Sequence, residues 1–203
     1  MSGFAPKSEA RCAFVLLAAG QGARFGPGKL LADLAGRPVW RWAIESALEA
    51  GLEDLHVVTN DPRIADDCKA AGWSVHGNPT ARQGIASSLA IAAQATRHAQ
   101  RTVIALADMP FVEPRHFGRL ASGQGVHFTR HLDGRPGVPA GFPAPARDRL
   151  LLLEGDRGAA SLDWPDASTV EPPTCDSLFD IDTPDSLRQA QEIALRRRQA
   201  ASR

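Results

Sequence analysis

Residues 12–29 read Cys-Ala-Phe-Val-Leu-Leu-Ala-Ala-Gly-Gln-Gly-Ala-Arg-Phe-Gly-Pro-Gly-Lys, an apolar run over 13–19 that passes directly into a loop with glycines at 20, 22, 26 and 28. A run of this length without a polar face predicts a strand buried on both sides, as in a parallel sheet. Similar short apolar runs recur at 55–59, 102–107, 125–129 and 178–181, separated mostly by segments of helical spacing. In the first of these, Pro38 suits a first helical position, Val39, Ala43, Ile44, Ala47 and Leu48 form one face, and Gly51 is the stop. Trp40 and Trp42 are expected at the edge of that core face, with an exposed interface as the alternative. A second helix opens at Asp61-Pro62, and a third covers roughly 84–98 with Ile85, Leu89 and Ala92 or Ala93 inward. Alternation of this kind predicts a mostly parallel sheet with helices on both faces, a Rossmann-like three-layer αβα sandwich. In such sheets ligands bind beyond the carboxyl ends of the strands.

The rest of the chain is read against that pattern. Residues 134–145 (GRPGVPAGFPAP) are so rich in proline and glycine that a turn-rich lobe between strands is expected. Residues 187–203 predict a polar helix whose Arg196-Arg197-Arg198 end is a solvated, fraying tail. One domain over 1–203 is expected, with a core of about 12–192 and flexible ends at 1–11 and 193–203. Lys7 and Arg11 before 13–19 imitate a signal peptide, but seven apolar residues running into a glycine loop read better as a first strand.

Charge narrows the function. The chain has 23 Lys+Arg against 23 Asp+Glu, so it lacks the surplus cation that a nucleic-acid or acidic-membrane binder needs. Any anion site must be local. No apolar stretch approaches the ~20 residues that span a bilayer. Cys12, Cys68 and Cys175 are odd in number and far apart, which fits a reducing, cytoplasmic setting without disulfide or zinc knuckle.

The glycine loop, carrying Arg24 and Lys29, is the local anion site to test. It is not a Walker A loop, because Ala23 stands five before Gly28 and Leu30 follows Lys29. Nor is it a dinucleotide fingerprint, because Phe25 stands where G-x-G-x-x-G from Gly20 needs its last glycine. Acids follow two other apolar runs. Asp108 ends 102–107, where it can hold a hard cation or merely cap the turn before Pro110. Alternation places Asp180 and Asp182 on one face of a strand over 178–181; Thr183-Pro184 then caps and opens a helix, which leaves the acids themselves unexplained.

The pattern L-A-A-G-x-G-x-R-x-G-x-x-K over 17–29 resembles the signature loop of MobA-like nucleotidyltransferases, and closest to it the molybdenum cofactor cytidylyltransferases. Leu-Ala-Asp-Met-Pro at 106–110, Asp-Ile-Asp-Thr-Pro at 180–184, Gly-Ile-Ala-Ser-Ser-Leu at 84–89 and Leu-Leu-Leu-Leu-Glu-Gly-Asp-Arg-Gly-Ala at 150–159 are similar to further motifs of that family, in order. The resemblance implies a nucleotide-diphospho-sugar transferase-like fold and an NTP bound by Leu17, Ala18, Ala19, Gly20, Gly22, Arg24 and Lys29, with Gly84, Ser87 and Ser88 at the base or ribose. It implies Mg²⁺ on Asp108 and Asp182, Asp180 being the reserve ligand, and an acceptor site at Gly155, Asp156 and Gly158.

The implied reaction is attack by a phosphorylated acceptor on the α-phosphorus, with Arg24 and Lys29 stabilising the leaving pyrophosphate. A phosphate monoester is already a competent nucleophile, so no general base is required. Ala18-Ala19 leans toward CTP, since guanylyl-transferring relatives read L-A-G-G there. The implied acceptor is molybdopterin, with a molybdoenzyme or chaperone as a recipient of the product. One position departs: Val138 stands where those enzymes carry histidine in Gly-His-Pro, which opens the acceptor's identity. A GTP-using enzyme, a transferase acting on another phosphorylated small molecule and a non-catalytic nucleotide-binding scaffold remain as alternatives. As a loop residue, Lys29 is expected to matter for turnover and little for the fold.

Overall fold

The computed structural model describes residues 12–201, apart from 21 and 23. Lys7, Arg11 and the expected flexible end over 1–11 lie outside the described residues. The elements in chain order are β1 (Cys12–Ala18), β2 (Asp33–Leu34), β3 (Arg37–Pro38), α1 (Val39–Glu49), β4 (Asp54–Thr59), α2 (Pro62–Ala70), β5 (Ser74–His76), α3 (Ile85–Ala95), β6 (Arg101–Leu106), α4 (Pro114–Ser122), β7 (His127–Arg130), β8 (Pro136–Pro143), α5 (Ala144–Arg147), β9 (Ser168–Val170) and α6 (Pro184–Ala201).

Seven strands form one sheet in the order β5-β4-β1-β6-β8-β7-β9, and β2 pairs with β3 alone. β1 runs parallel between β4 and β6, with Leu17 beside Val58 on one side and Leu106 on the other. The chain goes from β1 outward to β4 and β5, then returns to β6 on the far side of β1. That reversal is the switch point at which open parallel sheets leave a crevice. Both loops expected to carry chemistry, after β1 and after β6, leave the sheet there.

The two faces of the central strands explain their unbroken apolar sequence. Phe14, Leu16 and Val103 pack under α1, α2 and α4, while Val15, Leu17 and Ile104 pack under α3 and the segment around Leu150 and Leu153. A third cluster, with Leu34, Val39, Phe111 and Ile181, is covered by Ala190, Ile193 and Ala194 of α6. Among the described residues no helix is long and apolar enough to cross a membrane, and the three cysteines are free.

Four expectations are corrected. Residues 134–145 are not a turn-rich lobe, because 136–143 form β8, antiparallel between β6 and β7. Pro139 is tolerated since it falls in the register shift opposite Phe128 and Thr129 and precedes the first β6 partner, Ala140. Gly141 is needed because a Cβ there would come 2.5 Å from the Leu120 carbonyl oxygen. Residues 178–181 are not a strand: the Ile181 N–H donates to the Asp108 carbonyl (3.0 Å) in place of a ladder bond. On α1, Leu48 is 42% exposed, whereas Trp40 is fully buried rather than at the edge. Finally, α6 stays helical through 201, and Arg197 donates to the Phe111 carbonyl and to Glu113 (both 3.0 Å), so the helix is held against the body at residue 197 instead of being fully solvated beyond 193.

Candidate active site

Gly28, at φ +87°, turns the chain into a single 3-10 turn over 29–31, and this directs the Lys29 side chain back under the loop. Its ammonium lies 2.6 Å from Asp108 Oδ2 and 3.1 Å from Asp182 Oδ1. Arg24 Nη1 stands 3.7 Å from the other Asp182 oxygen. The four charged residues expected to act together are therefore brought together, although they come from sequence positions up to 158 residues apart.

The local chemistry that converges them is simple. Asp108 follows β6 at the switch point, and its carbonyl takes the Ile181 N–H, which registers the 180–182 segment against it. Ser186 Oγ accepts from the amides of Asp182 and Thr183 (2.9 Å each), while Thr183 Oγ1 accepts from the Ser186 amide (3.1 Å). This reciprocal cap fixes Asp182 at the start of α6.

Electrostatics follow from burial and proximity. Burial works to lower the Lys29 pKa, but the charge and hydrogen bond of Asp108, followed by those of Asp182, outweigh it and raise the value above ordinary. Lys29 is thus an ammonium at any working pH. Burial, and after it the charge of Asp182, push the Asp180 carboxyl up. Asp108 Oδ1 is buried with no hydrogen-bond partner, even though Oδ2 is on Lys29. A carboxylate with one oxygen unsatisfied beside a second carboxylate is a donor set fit for a divalent cation.

Around this cluster lies a cleft of about 380 Å³ lined by Leu17, Ala18, Ala19, Gly20, Gly22, Lys29, Gly84, Ser88, Asp108 and Asp156, among others. A second hollow of about 270 Å³ shares the loop and continues past Gly26 and Gly28 to Asn60 and Asp61. Of the expected site residues, Arg24, Asp182, Ser87, Gly155 and Gly158 do not line the first cleft, Arg24 and Asp182 standing outside it on the far side of Lys29's ion pairs. Ser87 instead donates to the Gly84 carbonyl (2.8 Å), and Gly158 caps the 3-10 turn at 159–161. Gly155 accepts from the Ala86 amide (3.1 Å), so the segment expected at the acceptor is pinned to the helix expected at the base. Gly84 makes this possible: it sits at φ +109°, and a Cβ there would collide with the Gly155 carbonyl.

Sequence reasoning missed Asn78 and Arg82. Fully buried Asn78 exchanges bonds with Asn60 (2.7 and 2.8 Å) and donates to Ser87 and Ser88 (2.9 and 2.8 Å). An Asn-Pro-Thr tripeptide is common turn sequence and carries no local signal of this role. Exposed Arg82 joins Lys29 as a second cation on the cleft wall. Val138, the departure from the expected histidine, has an imidazole beside it, because His131 Nε2 lies 2.9 Å from its carbonyl. Asn78→Ala removes the amide that donates to Ser87 and Ser88 and accepts from Thr80, while the backbone bonds of residue 78 to Asn60 persist; we expect a loss of about 2 kcal/mol in denaturant unfolding. The KM for nucleotide should rise more than kcat falls, and unchanged values of both would remove Asn78 from the site.

Comparison with known proteins bears on the family and the fold. A segment of 3-deoxy-manno-octulosonate cytidylyltransferase from Vibrio vulnificus is 45% identical over 49 residues, 24% of this chain and 20% of that protein. The match thus spans about a fifth of that relative's length. A nucleotidyl transferase from Methanothermobacter superposes with a TM-score of 0.79 over 92% of this chain and 98% of its own, at 24% identity, a likeness of fold alone. Rv0371c of Mycobacterium tuberculosis, solved in complex with manganese, superposes with a TM-score of 0.67 over 90% of this chain and 98% of its own, at 25% identity. The family model for the MobA-like NTP transferase domain matches residues 14–165. The chain belongs to the MobA-like NTP transferase family.

Proposed function

We propose that this protein transfers a nucleoside monophosphate from an NTP, CTP by preference, to a phosphorylated small molecule of the molybdopterin kind, with release of pyrophosphate. The observation that carries the reading is the Lys29 ammonium held between Asp108 and Asp182 at the switch-point end of the sheet. A scaffold that only bound nucleotide would have no need to keep two acids beside its phosphate loop.

In this reading Asp108 and Asp182 hold a divalent ion, with Mg²⁺ the expected one, and such an ion neutralises charge on the α-phosphate. Lys29 and Arg24 meet the negative charge that builds on the departing pyrophosphate. Leu17, Ile85 and Leu106 give the cleft apolar walls that exclude water. Asp156 and Arg82, which line the same cleft, meet the acceptor in this reading. The acceptor phosphate brings its own charge, so positioning does the remaining work.

The name of the curated relative, a cytidylyltransferase, supports the lean toward CTP, and Ala19 is the residue on which it turns. Ala19 is nearly buried against the cleft, where one methyl in a base pocket is worth about 1–3 kcal/mol. Ala19→Gly should therefore shift the ratio of kcat/KM for GTP over CTP upward by about tenfold. Pyrophosphate release, measured with CTP, GTP and ATP in the presence of Mg²⁺ and molybdopterin, tests both statements. Release with CTP fastest supports the reading; no release with any nucleotide, with the protein folded, contradicts it.

A further inference from the structure

At the end of the sheet remote from the nucleotide cleft, β4 opens with Asp54 and His56 on the same face, and His98 stands in the turn between α3 and β6. His56 is an anomaly in its strand, being buried among Leu55, Val57 and Val58, where an apolar side chain would cost nothing to desolvate. Its two ring nitrogens are both engaged: Nε2 lies 3.2 Å from Asp54 Oδ1 and Nδ1 lies 3.0 Å from His76 Nε2. His98, although its side chain is 44% exposed, also turns its Nε2 onto the second Asp54 oxygen, at 2.7 Å. One carboxylate thus receives two imidazoles, and ligand atoms from all three residues fall within 4.8 Å of one another. Among the described residues this is the one group of three or more such side chains so placed.

A hydrogen-bonded polar cluster would account for His56 alone. It does not account for a half-exposed histidine held on the same carboxylate with the ring nitrogens of both imidazoles converging on it. We propose that Asp54, His56 and His98 form a second metal site that binds one divalent ion of the zinc class. Two imidazoles and one carboxylate, with an open fourth position, suit zinc and its transition-metal neighbours, while Mg²⁺ and Ca²⁺ prefer sites made of oxygen. Ligand atoms on a tetrahedral zinc stand roughly 3.3 Å apart, so a small closure is required, and the exposed His98 side chain can supply it. His76 acts as the outer partner that orients the His56 ring, the arrangement common around ligating histidines.

Protonation is compatible with binding. Burial, the larger influence, holds His56 below its ordinary value despite the opposing charge of Asp54, and burial likewise lowers His76. For Asp54 the contacts with His98 and His56 outweigh burial and keep the carboxylate ionised. An ion here ties β4 to the turn that follows α3, the helix whose other end carries Ser88 into the nucleotide cleft. The site is therefore a staple at the end of the sheet where β4 begins, separate from the acid pair at Asp108 and Asp182.

The test is a Co²⁺ titration of the full untagged chain in excess Mg²⁺, followed by visible absorption, with Zn²⁺ as competitor. The expected result is one Co²⁺ per chain with the intense visible bands of a four-coordinate ion, displaced by Zn²⁺ and not by Mg²⁺. His98→Ala should lower the affinity at least tenfold and abolish those bands, while its melting temperature in ion-free buffer stays close to that of the parent. Asp54→Asn, nearly isosteric, should do the same and guards against a variant that fails to fold. Only the pale spectrum of a six-coordinate ion, or an affinity that neither substitution changes, overturns the proposal.

Discussion

Replacing Lys29 with alanine is expected to lower turnover by about 10²–10³-fold, the usual cost of removing one preorganised group from developing charge. The same substitution should also destabilise the metal-free protein, contrary to what its place in a loop implies. The Lys29 side chain is 10% exposed and compensates Asp108 and Asp182 together, the first at 2.6 Å. Breaking a fully buried ion pair costs several kcal/mol. Because Asp182 is 43% exposed, solvent screening reduces that to about 1–3 kcal/mol here. The two acids would then face each other with only the exposed Arg24 on the outer oxygen of Asp182. Millimolar Mg²⁺ or Mn²⁺ should consequently raise the melting temperature of Lys29→Ala more than that of the parent, although activity is not restored. Thermal melts with and without the ion, alongside pyrophosphate release, read both effects. Near-parental turnover would remove Lys29 from the chemistry, and a melt indifferent to divalent ions would remove the acids as an ion site.

Asp108→Asn carries the second large effect. The amide keeps the shape of the carboxylate and leaves Lys29 paired with Asp182, so the fold should hold within about 1 kcal/mol of the parent. What disappears is the charge next to the unpartnered buried oxygen. Turnover should fall by about 10³-fold, with the dependence on divalent-ion concentration shifted to much higher values. Asp182→Asn should resemble it. Asp180→Asn should cost less than tenfold, because Asp180 lies beside Asp182 and is not among the groups on Lys29. Kinetics of the three variants at a series of Mn²⁺ concentrations decide the matter; Asp180→Asn as the most damaging of the three would exchange the assigned roles.

The parts of the molecule that were legible in the sequence share a physical cause. β1, β4 and β6 are buried on both faces, and such strands need unbroken apolar runs, so 13–18, 55–59 and 102–107 stand out in the sequence. Asp61-Pro62 and Thr183-Pro184 signal helix starts by local capping chemistry, and the structure has α2 and α6 beginning there. The glycine loop and the strand-end acids are local as well, which is why all four charged residues could be picked out before their convergence was seen.

What escaped depends on partners distant in sequence. β8 is disguised by Pro136, Pro139, Gly141 and Pro143, each tolerable only because of the bulge, the strand ends or the passage of the Arg101 side chain. The apolar stretch 178–181 looks like a strand, yet Ile181 is spent on a loop carbonyl and on the core beside α6. β5 and β9, three residues each, are too short to show a period. Asn78 has no local signature at all, since its role is set by Asn60 and the serines of α3.

Crystals grown with CTP and Mn²⁺ and measured at the manganese absorption edge would bear most directly on the convergence of loop cations and strand-end acids. The expected anomalous density is a single strong peak within bonding distance of one oxygen each from Asp108 and Asp182 and of the triphosphate, with Lys29 on a phosphate oxygen. A nucleotide bound in the cleft without manganese between these two acids, or manganese only at the Asp54 cluster, would contradict it.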